Sequence, residues 1–238
     1  PWDVRTRVTH PHPALANAQA LTDLEGGAAS LLIVADSEGR RGVTVASADA
    51  LKRVLDGVLL DLAPVALDAG AAGPLVAGWL AEAAAGVAGA PLAFHLDPLS
   101  AWAEGQSLQP VAALVSEASQ AAAELASRHP GASLFLASGR PVHESGGSEA
   151  QELAFALAAA LAYAKALDAR GLVPAATLPR IVLGVSVDAE PTLNVAKLRA
   201  ARLVWSRLAA ALGADSAPAV VEARSSRRML ARLDPWTN

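Results

Sequence analysis

The feature that most constrains this chain is an alternation of short apolar runs with helical patterns. The runs "AASLLIVAD", "APVALDAG", "APLAFHLD", "ASLFLASG", "RIVLGVSVD" and "PAVVEA" are bounded by turn residues and too short for helices. They read as strands buried on both faces. Between them, "SADALKRVLDG" predicts a helix capped by Ser47 and stopped at Gly57, and "QPVAALVSEASQAAAELASRHPG" predicts one running to a Pro-Gly stop. After "GRPVHESGG", Ser148 and Gln151 form a capping box for a helix that ends at Gly171. In "EPTLNVAKLRAARLVWSRLAAALG", Leu198, Ala201, Trp205, Leu208 and Leu212 predict one buried stripe, with Arg199, Arg202 and Ser206 on another face. Six strands alternating with helices imply an α/β fold with a parallel sheet and right-handed crossovers. Residues 1–27 add an N-terminal arm and a helix over "PALANAQALTDLEGG".

The 238 residues, 53% of them hydrophobic, suffice for one sizeable core and show no linker. A formal net charge of −4 supplies no electrostatic reason for a nucleic-acid or anionic-membrane partner. The absence of cysteine excludes disulfides, thiolate metal sites and thiol nucleophiles, and is compatible with a reducing cytosol; a cytoplasmic location is the expectation. In "ELAFALAAALAYAKAL", Glu152 and Lys165 leave twelve uncharged residues between them, short of the ~20 a bilayer span needs. The charged, proline-punctuated opening "PWDVRTRVTHPHP" does not resemble a signal peptide.

Several strands end in an acid: Asp36, Asp68, Asp97, Asp188 and Glu222, with Glu144 just past the fourth. In a (β/α)8 barrel such positions converge on the catalytic mouth. A ring of carboxylates there could bind a cation or share proton transfer. The plainer reading, favoured for Asp36, Asp97 and Asp188, is that each acid caps the helix that follows. His95 with Asp97, and His143 with Glu144, lack a third ligand at a diagnostic spacing, so no metal is expected. "ESGGS" lacks phosphate-loop spacing and reads as a tight turn, and no GxSxG elbow is present. The arginines of "ARSSRRMLAR", Arg224 among them, suit either an anion such as a CoA phosphate or a charged rim.

"PWDVRTRV", "LEGGAASL", "VLDGVLLDLAPVALDAG", "HESGGSEAQELAFALA", "VAKLRAARLVW" and "LDPWTN" together resemble the methylmalonyl-CoA mutase family, in the family's order and across nearly the whole chain. The resemblance implies a (β/α)8 TIM-type barrel enclosing acyl-CoA. It also implies adenosylcobalamin held by a separate C-terminal domain, and a radical interconversion of methylmalonyl-CoA and succinyl-CoA. About six βα units are present, so 28–238 reads as an incomplete barrel portion without a cobalamin-binding domain; the family's DxHxxG pattern is missing. An open barrel edge is a liability, so a longer product or another segment is expected to close it.

The chain departs from the catalytic pattern. Where catalytic members carry a Tyr-His pair after a glycine, this chain has Arg140 and Pro141, which cannot replace it: proline offers no side-chain donor and arginine is no acid at neutral pH. "VADSEGRRGVTV" lacks the Thr-His-Arg-Gly-Tyr run, and in "FHLDPLSAWAEG" Leu96 stands near the glutamine position without the carboxylate-clamping arginine. The resemblance is therefore greatest to the non-catalytic small (beta) subunit, a scaffold that forms a heterodimer with its homologous catalytic subunit. No cofactor is expected in this chain, and adenosylcobalamin is expected in the complex. His143 and Glu144 then serve structure, and the arm Trp2–Arg7 becomes a candidate partner contact. Two alternatives stay open: an isomerase with a shifted site using Asp68, Asp97 and Glu144, and a stand-alone acyl-CoA-binding barrel. Weak candidates for substrate contact are Asp68, Asp97, His143, Glu144 and Arg224.

Overall fold

The computed structural model describes residues 2–215 and 217–237, so Pro1, Ser216 and Asn238, the last residue of "LDPWTN", lie outside the described residues. The chain divides into two compact units, Pro1–Pro98 with Gln109–Phe135, and Leu99–Leu108 with Leu136–Asn238.

In the first unit, β1 (Arg5–Val8), β2 (Ser30–Asp36), β4 (Val65–Asp68), β5 (Leu92–Leu96) and the start of β6 (Ser133–Ser138) pair in that order, every registered pair parallel. A two-residue β3 (Val43–Thr44) pairs with the end of β2. The helices are α1 (Pro13–Glu25), α2 (Ala48–Val54), α3 (Gly73–Ala83) and α5 (Val111–Arg128). As the alternation requires, strand residues such as Leu31, Leu32, Ile33, Leu67 and Phe94 are buried on both faces. The predicted cap is present: Ser47 Oγ accepts the Ala50 N–H at 3.2 Å. The register shifts between Ala93 and Leu96, where His95 adopts φ 46°, a left-handed conformation that a non-glycine residue enters at a bulge.

Two expectations change here. Arg5–Val8 does not stand outside the sheet; it is a parallel strand in register with Ser30–Ile33, tied by Arg5 Nε to Ser30 Oγ at 2.9 Å. Asp36 caps no helix, because a turn and β3 follow it. Its carboxylate instead accepts the N–H groups of Glu38, Arg40 and Arg41 at 2.9, 3.0 and 2.8 Å and closes that turn. Those bonds, the Glu38 N–H foremost, hold its carboxyl below the ordinary carboxylate range.

In the second unit, β7 (Ile181–Val187) pairs in parallel with β8 (Val220–Ser225) over six residues, and the end of β6 reaches β7 through the Gly139 N–H to Gly184 O bond of 2.9 Å. The helices are α4 (Pro98–Ala103), α6 (Arg140–Glu144), α7 (Glu149–Asp168), α8 (Pro174–Thr177) and α9 (Pro191–Ala211). The capping box is complete: Ser148 Oγ accepts the Gln151 N–H, and Gln151 Oε1 accepts the Ser148 N–H. Asp188 does not cap α9: its carboxylate accepts the N–H of Glu190, the residue before the helix, at 3.0 Å and closes a short turn, and the start of α9 has no side-chain cap bond.

The stretch "GRPVHESGG" contains the short helix α6 as well as a turn. Gly139 is required there, since a Cβ would lie 2.2 Å from the Glu152 carbonyl oxygen. α7 has the length and composition to cross a membrane, unlike the span expected from its charges. Its Glu152, Ala156, Ala160, Tyr163 and Leu167 are buried within the unit, as in a core helix. The stripe on α9 is turned by one residue: Lys197, Ala201, Trp205 and Ala209 are buried, while Leu198 and Leu208 are half-buried.

Candidate functional site

The polar groups buried deepest in the second unit meet between α6, α7, α9 and the strand ends. Ser148 starts α7 with Glu152 on its inner face, and the four-residue spacing Lys197–Ala201–Trp205 turns Lys197 inward from α9. Lys197 Nζ donates to Glu152 Oε2 at 2.7 Å, and the Ser186 N–H donates to Glu152 Oε1 at 2.5 Å. His143 Nδ1 lies 3.6 Å from Glu152 Oε2, and His143 Nε2 is 2.9 Å from Ser226 Oγ. Ser226 Oγ also accepts the Arg228 N–H at 3.0 Å, so the hydroxyl ties His143 to the turn that follows β8.

Ser226, His143 and Glu152 stand in the order of a nucleophile, base and orienting acid, but the geometry is sealed. Ser226 is 1% exposed and His143 and Glu152 are 0% exposed, so no substrate reaches the hydroxyl. Glu152 is, besides, already engaged by Lys197. A fully buried carboxylate tolerates this position because a cation and a backbone N–H compensate its lost hydration. The cluster is a structural joint linking three helices, a strand and a turn.

The residues singled out from sequence fall into separate places. Asp68 and Asp97 are half-buried in the first unit, at the ends of β4 and β5. Asp97 lines a cavity of about 10 Å³ with Gly70, Pro74, Leu114 and Glu117, room for about one water molecule. His143, Glu144 and Arg224 lie in the second unit. Glu144 faces two guanidinium groups, Arg140 at 3.7 Å and Arg227 at 3.6 Å, and Arg224 pairs with Glu222 at 2.5 Å. Arg140 is mostly buried beside Glu144, and Pro141 is buried in the first turn of α6. Among the described residues no three His, Asp or Glu side chains gather as a metal would require.

Glu152, Lys197, Ser186 and Ser226 escaped the sequence reading. A lysine inside a helical stripe reads as a boundary of the apolar face, because lysine is seldom buried unpaired. The available signal was the spacing Lys197–Ala201–Trp205, which fits a buried face better than Leu198–Ala201–Trp205 does.

Glu152 and Lys197 both lie in the segments that carry the family resemblance, "HESGGSEAQELAFALA" and "VAKLRAARLVW". Comparison with known proteins agrees. The sequence model of the family described as methylmalonyl-CoA mutase matches residues 1–238. A Streptomyces virginiae protein named methylmalonyl-CoA mutase small subunit is 38% identical over 242 residues, covering 100% of this chain and 38% of the relative. A Mycobacterium bovis protein named "Probable methylmalonyl-CoA mutase small subunit" is 34% identical, covering 93% of this chain and 35% of its own length. A Propionibacterium freudenreichii small subunit is 28% identical over 100% of this chain and 36% of its own length. The chain thus spans a little over a third of the length of these three relatives. With a whole-length family match, and with the buried Glu152–Lys197 pair lying in the segments that most resemble the family, this chain belongs to the methylmalonyl-CoA mutase family.

Proposed function

We propose that this chain is part of the small, non-catalytic subunit of a cytoplasmic methylmalonyl-CoA mutase, contributing (β/α)8 barrel units to a scaffold that pairs with a homologous catalytic subunit. Adenosylcobalamin, bound elsewhere in the complex, supplies the radical chemistry. The observation that carries the reading is at Arg140 and Pro141. The first is paired with Glu144 and stays protonated at neutral pH, and the second is packed at the start of α6 and has no side-chain donor or acceptor, so neither can serve as a general acid or base. The nearest imidazole, His143, is committed to Ser226. His143 instead ties α6 to the turn after β8. The test is isomerisation of methylmalonyl-CoA by the full-length protein with adenosylcobalamin, alone and with its partner. Turnover only in the presence of the partner supports the scaffold; turnover by the protein alone overturns it in favour of a shifted site.

A further inference from the structure

Acidic and basic residues are segregated along this chain. No lysine or arginine occurs between Arg53 and Arg128, where eight carboxylates fall, whereas eight basic residues meet two acidic ones from Pro191 to Leu233. With a net charge of only −4, it is this separation that gives the surface its opposed regions.

α9 carries the basic run on its outside. Val195, Arg199, Arg202, Leu203 and Arg207 lie along one side over a helical rise of about 18 Å, all of them exposed, Val195 and Leu203 by 56% each. No acid occurs between Pro191 and Ala211, and Lys197 is buried on the opposite face. Arg202 Nη1 donates to Leu198 O of its own helix at 2.9 Å, and among the described residues none of the three guanidinium groups is in an ion pair. The surroundings leave the charge standing: α7, packed beside α9, ends in Lys165, Asp168 and Arg170, and the flanking Glu190 and Asp215 pair with none of the three. Arg199 and Arg202, three residues apart, repel each other on an isolated helix. A carboxylate surface laid on this face removes that repulsion.

The acidic stretch offers such a surface in the turn between α2 and β4. Val58 and Leu60 are buried there, which turns Leu59 and Leu62 outward, 61% and 71% exposed, beside the exposed Asp56 and Asp61. The turn is held in shape: Asn17 Nδ2 donates to the carbonyls of Val54 and Asp56 at 2.9 and 2.6 Å, and the Leu62 and Ala63 N–H groups donate to Leu59 O at 3.0 and 2.9 Å. Neither carboxylate is in an ion pair among the described residues. Arg53, in the last turn of α2, leaves the turn negative when it is counted. Two aliphatic side chains with unpaired carboxylates thus match two aliphatic side chains with unpaired guanidinium groups, and a preorganised turn loses little entropy on docking.

We propose that the outer face of α9 docks a second copy of this chain at its Asp56–Leu62 turn, Arg199, Arg202 and Arg207 meeting Asp56 and Asp61 while Val195 and Leu203 cover Leu59 and Leu62. The contact joins unlike surfaces, so it is heterologous, head to tail. It is independent of the scaffold reading, because its test uses the protein without a partner. The test is sedimentation velocity of the full-length protein up to about 100 μM, in about 50 mM and about 500 mM salt. The average mass is expected to rise with concentration at low salt and to fall back to the monomer at high salt. Arg199→Glu/Arg202→Glu/Arg207→Glu and Asp56→Lys/Asp61→Lys should each weaken association by about tenfold or more. Mixing the two variants should restore it, because each then meets a face of opposite sign, and this recovery also shows that both are folded. Leu59→Ser/Leu62→Ser should weaken association without changing its salt dependence. The proposal is overturned by a wild type that stays monomeric at low salt, by association that survives in either charge variant, or by a mixture that fails to recover it. A monomeric wild type whose arginine variant loses the homologous catalytic subunit overturns it as well and gives the face to the heterodimer.

Discussion

Lys197 is an ammonium group on a helix face that otherwise buries Ala201, Trp205 and Ala209, and it persists there because Glu152 meets it at 2.7 Å. Removing one partner leaves the other charge without water or counter-charge, so Lys197→Met should cost about 3–5 kcal/mol in urea unfolding of the full-length protein. In Glu152→Gln/Lys197→Met the amide oxygen still serves the Ser186 N–H and no charge remains buried, so most of that stability should return. A double variant as unstable as the single one would mean that packing, and not charge, makes the joint. Asp36 and Asp188 belong to the same scale. Both carboxyls are held below the ordinary range, by the Glu38 N–H and the Glu190 N–H respectively, with Lys197 also lowering Asp188. A depressed folded-state pKa contributes stability above the unfolded value of about 3.9, and that contribution is lost as pH falls through the folded value. The urea midpoint of Asp36→Asn should therefore lie below the wild type near neutrality and converge with it in acid. Parallel curves at all pH values would refute the assignment.

At the scale of elements, α7 depends on its first turn. The Ser148–Gln151 box satisfies N–H groups that helix geometry leaves open, and Ser148→Ala should lower stability by about 1 kcal/mol in the same unfolding measurement. An unchanged midpoint would show that the tertiary contacts of Glu152 alone hold the helix start. β1 carries a second prediction. Because Arg5–Val8 pairs with β2 and Thr6 Oγ1 donates to Asp23 Oδ2 at 2.8 Å, deleting residues 1–8 exposes an edge of β2 and loosens α1. The expected result is a lower melting temperature of the protein itself. Subunit association weakened at unchanged melting temperature would instead restore the arm as a pure partner contact, with exposed Trp2 and Val4 as its means.

At the scale of the whole molecule, the proposed scaffold role implies that restoring chemistry is harder than restoring two residues. Arg140→Tyr/Pro141→His returns the pair that the resemblance assigns to catalytic members, but it removes the Arg140–Glu144 contact and the proline that starts α6. The clamping arginine that the resemblance assigns to catalytic members would also still be lacking, and positioning contributes as much to rate as proton transfer does. The full-length double variant with adenosylcobalamin is expected to stay inactive without its partner; measurable turnover would mean that only those two residues had been lost. The six strands and the caps at Ser47 and Ser148 were legible in sequence, because each rests on residues within a few positions of one another, and the parallel pairing followed from the alternation of strand and helix. β1 was not, because "RTRV" is polar and becomes a strand only by borrowing the hydrogen bonds of β2. Nor was the outcome for Asp36, which turned on whether a helix or a strand followed. Local pattern determined the α/β order, and the resemblance of whole segments pointed to the family. Which polar groups go inside was decided by the tertiary structure alone: burying Lys197 is unfavourable until Glu152, 45 residues away in the chain, is brought to meet it, and no local pattern encodes that encounter.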